Sequence, residues 1–174
     1  MLQLIKVFWS ICRFKAAPQD LPVARNLLIA AVIAGIFVDS FGSSLLMKET
    51  SAMDVAITVT IFNVVLLFSL FLLLKAIGFK ERAMQTLTAV AGSGLLISLV
   101  LLPSLLFIYT SVSESKSYAF YILIDNIWRI SVNAHILRHA LSIGLLMATI
   151  ISLSYLIFGV MVADYLLSFQ QIKS

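Results

Sequence analysis

The sequence predicts an all-α protein, a polytopic membrane helix bundle of five transmembrane helices with a short N-terminal amphipathic helix. The first observation is composition: of 174 residues, 61% are hydrophobic and 11% charged, and the mean hydropathy is +1.09. Soluble domains average about 45–50% apolar and about 25% charged residues. A soluble fold of this length would leave too much apolar surface in water. The second and third observations are long apolar runs and basic residues placed beside them.

The same composition excludes several classes of protein. A disordered chain needs the opposite balance of charge and hydrophobicity, and Cys12, the only cysteine, rules out a disulfide scaffold. A soluble enzyme is excluded as well. The net charge of +4 does not indicate nucleic-acid binding, because the basic residues adjoin apolar runs and therefore read as topology signals.

Four apolar runs are long enough to cross a membrane, which takes about 20 residues. Asparagine and aspartate interrupt them only rarely, and no long polar linker separates them, so residues 18–174 are expected to form a single transmembrane domain. The four runs are residues 26–47, 55–74, 87–109 and 140–163.

A fifth segment, residues 118–137, is apolar but carries several polar side chains. It fits either a polar spanning helix or a helix lying in the interface, which would leave four spans. Basic residues favour the cytoplasmic side. The basic pair Arg138–His139 follows this segment and lies inside only if the segment crosses. Five spans are therefore expected, with a tight turn near 138–140 and a cytoplasmic N-terminus.

Residues 1–17 predict an amphipathic interfacial helix on the inner leaflet. Leu2, Ile5, Phe8, Trp9 and Cys12 recur at helical spacing. The expected interfacial anchor consists of Trp9 at the level of the lipid headgroups together with the basic side chains of Lys6, Arg13 and Lys15. A docking surface for a cytoplasmic partner is the alternative interpretation.

The fifth segment contains the polar residues of greatest interest. Asp125 and Arg129 are four residues apart with the acid first, the favourable order for an ion pair on one helix face. Asn133 continues that face and Asn126 flanks it. Charges inside a membrane are costly, so these residues predict a polar intramembrane seam, either structural or lining a path for protons or a small solute. Asp39, by contrast, is expected near the outer end of the first span, where Gly42–Ser44 end the helix.

A second pattern is a face of small residues on the last predicted span: Ala140, Gly144, Ala148 and Ser152. Small residues four apart allow helices to approach closely in lipid. The pattern predicts close packing within the monomer, or association with another copy or another membrane protein.

Signatures of catalysis are missing from the sequence. It has no nucleophile elbow, P-loop, dinucleotide-binding fingerprint or zinc-protease HExxH motif. His135 and His139 are four residues apart but have no third ligand nearby in sequence. We therefore expect no enzymatic activity, catalytic residue, cofactor or metal.

The sequence also resembles a known family in its stretches Arg82–Val90, Leu102–Ser104, Ile127–Arg129 and Leu137–Ser142. This layout resembles the Yip (Ypt/Rab-interacting) family and its small bacterial relatives. The resemblance implies five spans with a proline in the third and a tryptophan in the fourth, and a bacterial inner-membrane location. The long cytosolic N-terminal region of the eukaryotic members has no counterpart here, so Rab binding is not implied.

Together these features predict a non-enzymatic integral membrane protein that acts as a scaffold or assembly subunit of a membrane complex. Its expected partners are the lipid bilayer and other membrane proteins or a second copy of the chain, and not nucleic acid. The alternative hypothesis is a transporter or channel subunit for a small solute or protons, which would use the polar seam of the fourth span.

Overall fold

A computed structural model describes residues 2–47, 50–110 and 114–173, and these residues form helices joined by short connections. No strand occurs in these three ranges, so the all-α prediction is confirmed. The helices are α1 (Leu2–Cys12), α2 (Arg25–Leu46), α3 (Ala52–Ala76), α4 (Lys80–Thr110), α5 (Glu114–Leu141) and α6 (Leu145–Lys173), with a 3-10 turn at Pro18–Asp20.

Four of these helices are long and apolar enough to cross a membrane: α2, α3, α4 and the Leu145–Leu166 part of α6. The protein therefore has the helix lengths and composition of an integral membrane protein. The fifth expected span, within α5, does not belong to this set. The physical reason lies in its sequence, since Asp125, Arg129 and Arg138 interrupt the apolar residues of α5.

Helices α2 to α6 are arranged as a ring. Going around it, α3 packs between α2 and α6, α5 packs between α6 and α4, and α4 returns to α2. Helix α3 also contacts α4, the helix that follows it in the chain. Within the ring α5 runs antiparallel to α4, because Arg82 near the start of α4 donates to the carbonyl of Ala140, whereas Ser98 lies beside Arg129. Helix α5 therefore lies along the bundle and not across its end.

An apolar cluster closes the ring at the end where α3 leads into α4 and α5 leads into α6. Its side chains come from all four of these helices, which burial in a common core holds together. The buried members are Leu70, Leu74, Ala83, Leu87, Ala134, Leu137, Ala140, Leu141 and Ala148.

The connection between α5 and α6 differs from the expected turn at 138–140. Nothing in Arg138–Ala140 breaks a helix, so α5 continues to Leu141, and the chain reverses through Ser142, whose φ is 55°. The last helix begins at Leu145, five residues later than the expected start at 140.

This shift divides the small-residue face that was expected on one helix. Ala140 ends up near the end of α5, Gly144 in the connection, and Ala148 and Ser152 on α6. Ala140 and Ala148 are both 0% exposed. These two alanines are thus buried inside the chain, where they bring α5 and α6 together.

Helix α1 packs its apolar face against α4 and α5. Phe8, Ile11 and Cys12 are buried there, and the indole nitrogen of Trp128 donates to the carbonyl of Cys12 at 3.3 Å. The expected anchor residues Lys6, Arg13 and Lys15 are exposed. Trp9 is 39% exposed, and its ring meets Trp128 edge to face. The face of α1 that was expected to meet lipid therefore meets protein in part.

The chain after α1 stays attached to the bundle as far as Leu21. It turns at Phe14, whose φ is 61°, two residues after α1 ends. A ring nitrogen of His135 lies 2.9 Å from the carbonyl oxygen of Ala16, and the amide of Gln85 donates to the carbonyl of Leu21 at 2.7 Å. These contacts tie the segment between α1 and α2 to α4 and α5.

Gly92 of α4 makes the close packing of α1 possible, because a Cβ at this position would overlap the ring of Phe8. We predict that Gly92→Ala displaces α1 and uncovers Cys12. Burial raises the pKa of this thiol to about 11, which keeps it unreactive in the native protein. In mild detergent, maleimide should therefore label Cys12 about tenfold faster in Gly92→Ala, which corresponds to a loss of about 1.4 kcal/mol in local stability.

Gly35→Ala is the matched control, because it is a second mid-helix glycine and has no atom within 4 Å of the added Cβ. Its labelling rate should equal that of the native protein. Equal rates in all three proteins would contradict the packing of α1 described above.

Candidate functional site

A charged cluster lies inside the ring where α2, α4 and α5 meet. It consists of Asp39 on α2, Ser98 on α4, and Asp125 and Arg129 on α5, and we call these four residues the ion-pair cluster. The Nε of Arg129 donates to both carboxylate oxygens of Asp125, at 2.8 and 3.0 Å. The two residues are one helical turn apart, so α5 alone supplies this pair.

Ser98 connects the pair to α2. The Nη2 of Arg129 donates to the Ser98 hydroxyl at 2.7 Å, and that hydroxyl donates to Oδ1 of Asp39 at 2.6 Å. The same Nη2 lies 3.6 Å from Oδ1 of Asp39. Three helices are thus joined through one guanidinium group.

The end of α2 differs from the expectation from sequence. Helix α2 does not end at Gly42–Ser44 but continues to Leu46, and Asp39 faces the interior of the ring. A signal for this was present in the sequence. Ala31, Gly35, Asp39 and Ser43 are spaced four apart, so they share one face of α2, and all of them line the interior.

A cavity with a volume of about 450 Å³ occupies the centre of the ring, and all five helices α2 to α6 line it. Ligand cavities are typically about 300–1,000 Å³ in volume. Most of the wall is apolar, with Phe62, Leu66 and Leu156 among its side chains. The polar part of the wall includes Asp39, Asn63, Asp125, Asn126, Arg129, Asn133, Ser152 and Tyr155.

A second cavity, of about 130 Å³, lies between α2, α4 and α5. Asp39, Asp125 and Arg129 line this cavity as well as the central one. The ion-pair cluster therefore stands at the boundary between the two cavities. The side chains of Arg129, Asp39 and Asp125 are 31%, 25% and 21% exposed, and all three border both cavities.

Gly94 of α4 lies beside the guanidinium of Arg129. A Cβ built on Gly94 would be 3.6 Å from Nη1 of Arg129, which is ordinary van der Waals contact. The polar end of Arg129 is therefore bordered by helix backbone on one side and by carboxylates on the other.

The charges of the cluster do not balance. Among the described residues that line the two cavities, the charged ones are Asp39, Asp125 and Arg129. Two carboxylates and one guanidinium give the cluster a formal charge of −1. An uncompensated charge away from water is unfavourable, so this excess carboxylate is a costly feature of the interior.

The other candidates from sequence lie in different places. The structure brings Asn126 and Asn133 to the cavity wall beside Asp125 and Arg129. His135 and His139 lie outside the cavity, with their rings edge to face at 4.7 Å. In the three described ranges no group of three or more metal-ligating side chains is positioned to hold a metal ion.

The charge imbalance predicts unequal effects of two conservative substitutions. Arg129→Gln leaves two uncompensated carboxylates and should lower the free energy of unfolding by about 3 kcal/mol. Asp39→Asn leaves a one-to-one pair and should cost only about 1 kcal/mol, the value of a hydrogen bond. The measurement is reversible unfolding of the purified protein in mixed micelles, with the exposed Asp164→Asn as a control.

Equal losses for Arg129→Gln and Asp39→Asn would contradict the charge count. The double variant Arg129→Gln/Asp125→Asn sharpens the comparison, because it removes one of the two uncompensated carboxylates. It should recover part of the stability that Arg129→Gln loses.

Comparison of the chain with known protein families, curated proteins and solved structures finds no match. Its function is therefore inferred from the site itself.

Proposed function

We propose that this protein binds a small solute inside its transmembrane helix bundle, as a transporter or channel subunit. The observation that carries the proposal is the central cavity, which five helices surround and which the ion-pair cluster borders. A cavity of this size with a mostly apolar wall and a few convergent polar groups is typical of a small-molecule site.

The cost of the cluster supports the same function. Placing an ionisable side chain at the centre of a membrane helix costs about 2.5–3.5 kcal/mol on insertion scales, and such residues commonly mark substrate or ion pathways. A purely structural link between α2, α4 and α5 needs no charge, because small residues and hydroxyls can join helices in lipid. A solute-binding role gives the charged residues a reason to be there.

We further propose five spans, with α5 crossing the membrane as a polar helix. Its 28 residues measure about 42 Å along the helix axis, and its antiparallel packing along α4 supports a crossing of the membrane over an interfacial position. Basic residues gather at the end of the bundle where α2 begins and α5 ends: Arg25, Lys75, Lys80, Arg82 and Arg138. By the positive-inside rule this end is cytoplasmic.

Scaffolding is the second candidate. It is favoured by the resemblance to the Yip family, which has a proline in the third span and a tryptophan in the fourth, as Pro103 and Trp128 are placed here. That resemblance also carries the proposed bacterial inner-membrane location. The face of small residues gives scaffolding little support, because Ala140 and Ala148 are buried within the chain and are not free to contact another protein. We therefore rank solute binding first. Intact-mass measurement after mild solubilisation distinguishes the two, since a stable complex with a different membrane protein favours the scaffold.

The topology proposal predicts the location of the two termini. With five spans and a cytoplasmic N-terminus, a C-terminal alkaline phosphatase fusion should be active and a C-terminal green fluorescent protein fusion dark. The same pair of reporters fused after Ile77, between α3 and α4, should give the opposite result. A fluorescent C-terminal fusion would contradict the crossing of α5.

If the cavity binds a solute, a side chain that fills the cavity should abolish solute binding. Gly35 lines the cavity and has no atom within 4 Å of a built Cβ, so Gly35→Leu should project into the empty space. Gly144→Leu is the matched control, because Gly144 is equally open but exposed and outside the cavity lining. The readout is solute entry into proteoliposomes, followed by light scattering after an osmotic shift.

Choline chloride, sodium gluconate and erythritol provide a cationic, an anionic and a neutral probe. At least one should enter vesicles containing the native protein or Gly144→Leu faster than those containing Gly35→Leu. Rates equal to those of protein-free vesicles for all three probes would overturn the proposed function.

A further inference from the structure

We infer that the central cavity binds a small organic ammonium ion, with its positive charge beside Asp39. This inference rests on the proposed function and specifies the chemical class of the solute. It is carried by the charge of the ion-pair cluster, by the direction of the hydrogen bonds around the cavity, and by the size and apolar character of the wall.

The charge of the cluster favours a cation over an anion. Arg129 is already neutralised by Asp125, since Nε donates to both oxygens of that carboxylate, and Nη2 is engaged by Ser98. An anion would meet a guanidinium that is already paired with a carboxylate, and a second carboxylate would repel it. That carboxylate is Asp39, the more distant partner at 3.6 Å. A monovalent cation beside it brings the formal charge of the site to zero.

Two asparagines show that the cavity wall presents hydrogen-bond acceptors. The amide nitrogen of Asn63 donates to the carbonyl of Val59, and that of Asn126 donates to the carbonyl of Ile122. Only the nitrogen of an asparagine amide can donate, so in each case the side-chain oxygen is the atom left to receive a hydrogen bond. Both residues line the cavity.

A hydroxyl group adds to this pattern. Ser152 donates its hydrogen to the carbonyl of Ile130 at 3.0 Å, which leaves the lone pairs of its oxygen as acceptors on the wall. Acceptors from α3, α5 and α6 therefore line the same cavity as Asp39. A ligand with N–H or polarised C–H donors finds acceptors in this environment.

The size and apolar wall of the cavity favour an organic cation over an alkali metal ion. A single metal ion would fill only a small part of the 450 Å³ cavity and would make no apolar contact with its wall. Alkyl groups on an ammonium ion would bury against the apolar wall, to which Phe62, Leu66 and Leu156 belong. The cavity thus combines a charged side with an apolar side, as an amphipathic amine requires.

The position of the cluster between the two cavities gives the bound cation a further effect. An ammonium ion beside Asp39 takes over the role of Arg129 as the counter-charge, while Arg129 keeps its shorter contact with Asp125 at 2.8 Å. The contact that weakens is the one between α5 and α2, and this contact stands at the boundary of the second cavity.

The test is thermal unfolding of the full chain in lipid nanodiscs, titrated with choline chloride. The melting temperature of the native protein should rise saturably with choline. Sodium chloride at equal ionic strength should not reproduce the rise, and neither should 3,3-dimethyl-1-butanol, the uncharged carbon isostere of choline. Asp39→Asn should weaken choline binding by about tenfold or more, and the exposed Asp164→Asn should bind like the native protein.

Asp125→Asn provides a second variant that also removes the excess charge, and it keeps the test valid if Asp39→Asn does not fold. The inference is overturned if choline gives no saturable shift, if both variants respond as the native protein does, or if sodium ions produce the same saturable shift. A response to sodium gluconate or to the neutral isostere would overturn the inference that the ligand is a cation, while the proposal of solute binding would stand. No response to any probe, together with no effect of Gly35→Leu on solute entry, would remove both proposals.

Discussion

The interaction on which the rest of the structure depends is the pairing of Arg129 with carboxylates inside the helix ring. A guanidinium does not give up its proton, so this charge requires partners at any depth in a membrane. Asp125 is supplied by the same helix, but Ser98 and Asp39 come from α4 and α2. The need to satisfy one side chain thus fixes how three helices stand relative to one another.

The same requirement explains why α5 is placed as it is. Its polar face meets the cluster and the central cavity, and a neighbouring face carries Trp128, which α1 covers in part. A helix with Asp125 and Arg129 facing lipid would be unstable there, so protein must shield it from several sides. Helix α1 and the segment after it provide part of that shield, with Gly92 allowing the close approach of Phe8.

Much of the fold follows from one-dimensional patterns. The apolar runs at 26–47, 55–74 and 87–109 correspond to α2, α3 and α4, because a membrane-length run of apolar residues has few alternatives to a helix. The turn at Ser142 could not be located in this way, since neither Arg138 nor His139 stops a helix and a residue with positive φ carries no strong signal in sequence. The burial of α1 against the bundle could not be predicted either, because an amphipathic helix shows the same pattern whether lipid or protein covers its apolar face.

The site was predictable only as far as it is local. Asp125 and Arg129 are one helical turn apart, so their spacing alone predicts the pair. Asp39 is separated from Arg129 by 90 positions, and its role depends on how α2 packs beside α4. Its membership in a four-residue stripe with Ala31 and Gly35 marked it as facing the interior, but no pattern within one helix identifies the partner on another.

The ratio of two carboxylates to one guanidinium in the cluster distinguishes a purely structural role from a ligand-binding role. If the only role of the cluster were to hold α5 in the ring, one carboxylate would suffice for Arg129, and Asp125 already contacts it in two places. Asp39 adds a negative charge to the interior at a cost, and it is held by one hydroxyl and a 3.6 Å contact, which are weaker restraints than those on Asp125. A charge that is costly, loosely held and adjacent to empty space is one that a ligand can satisfy. The extra carboxylate is therefore the feature from which the function of this bundle is best approached.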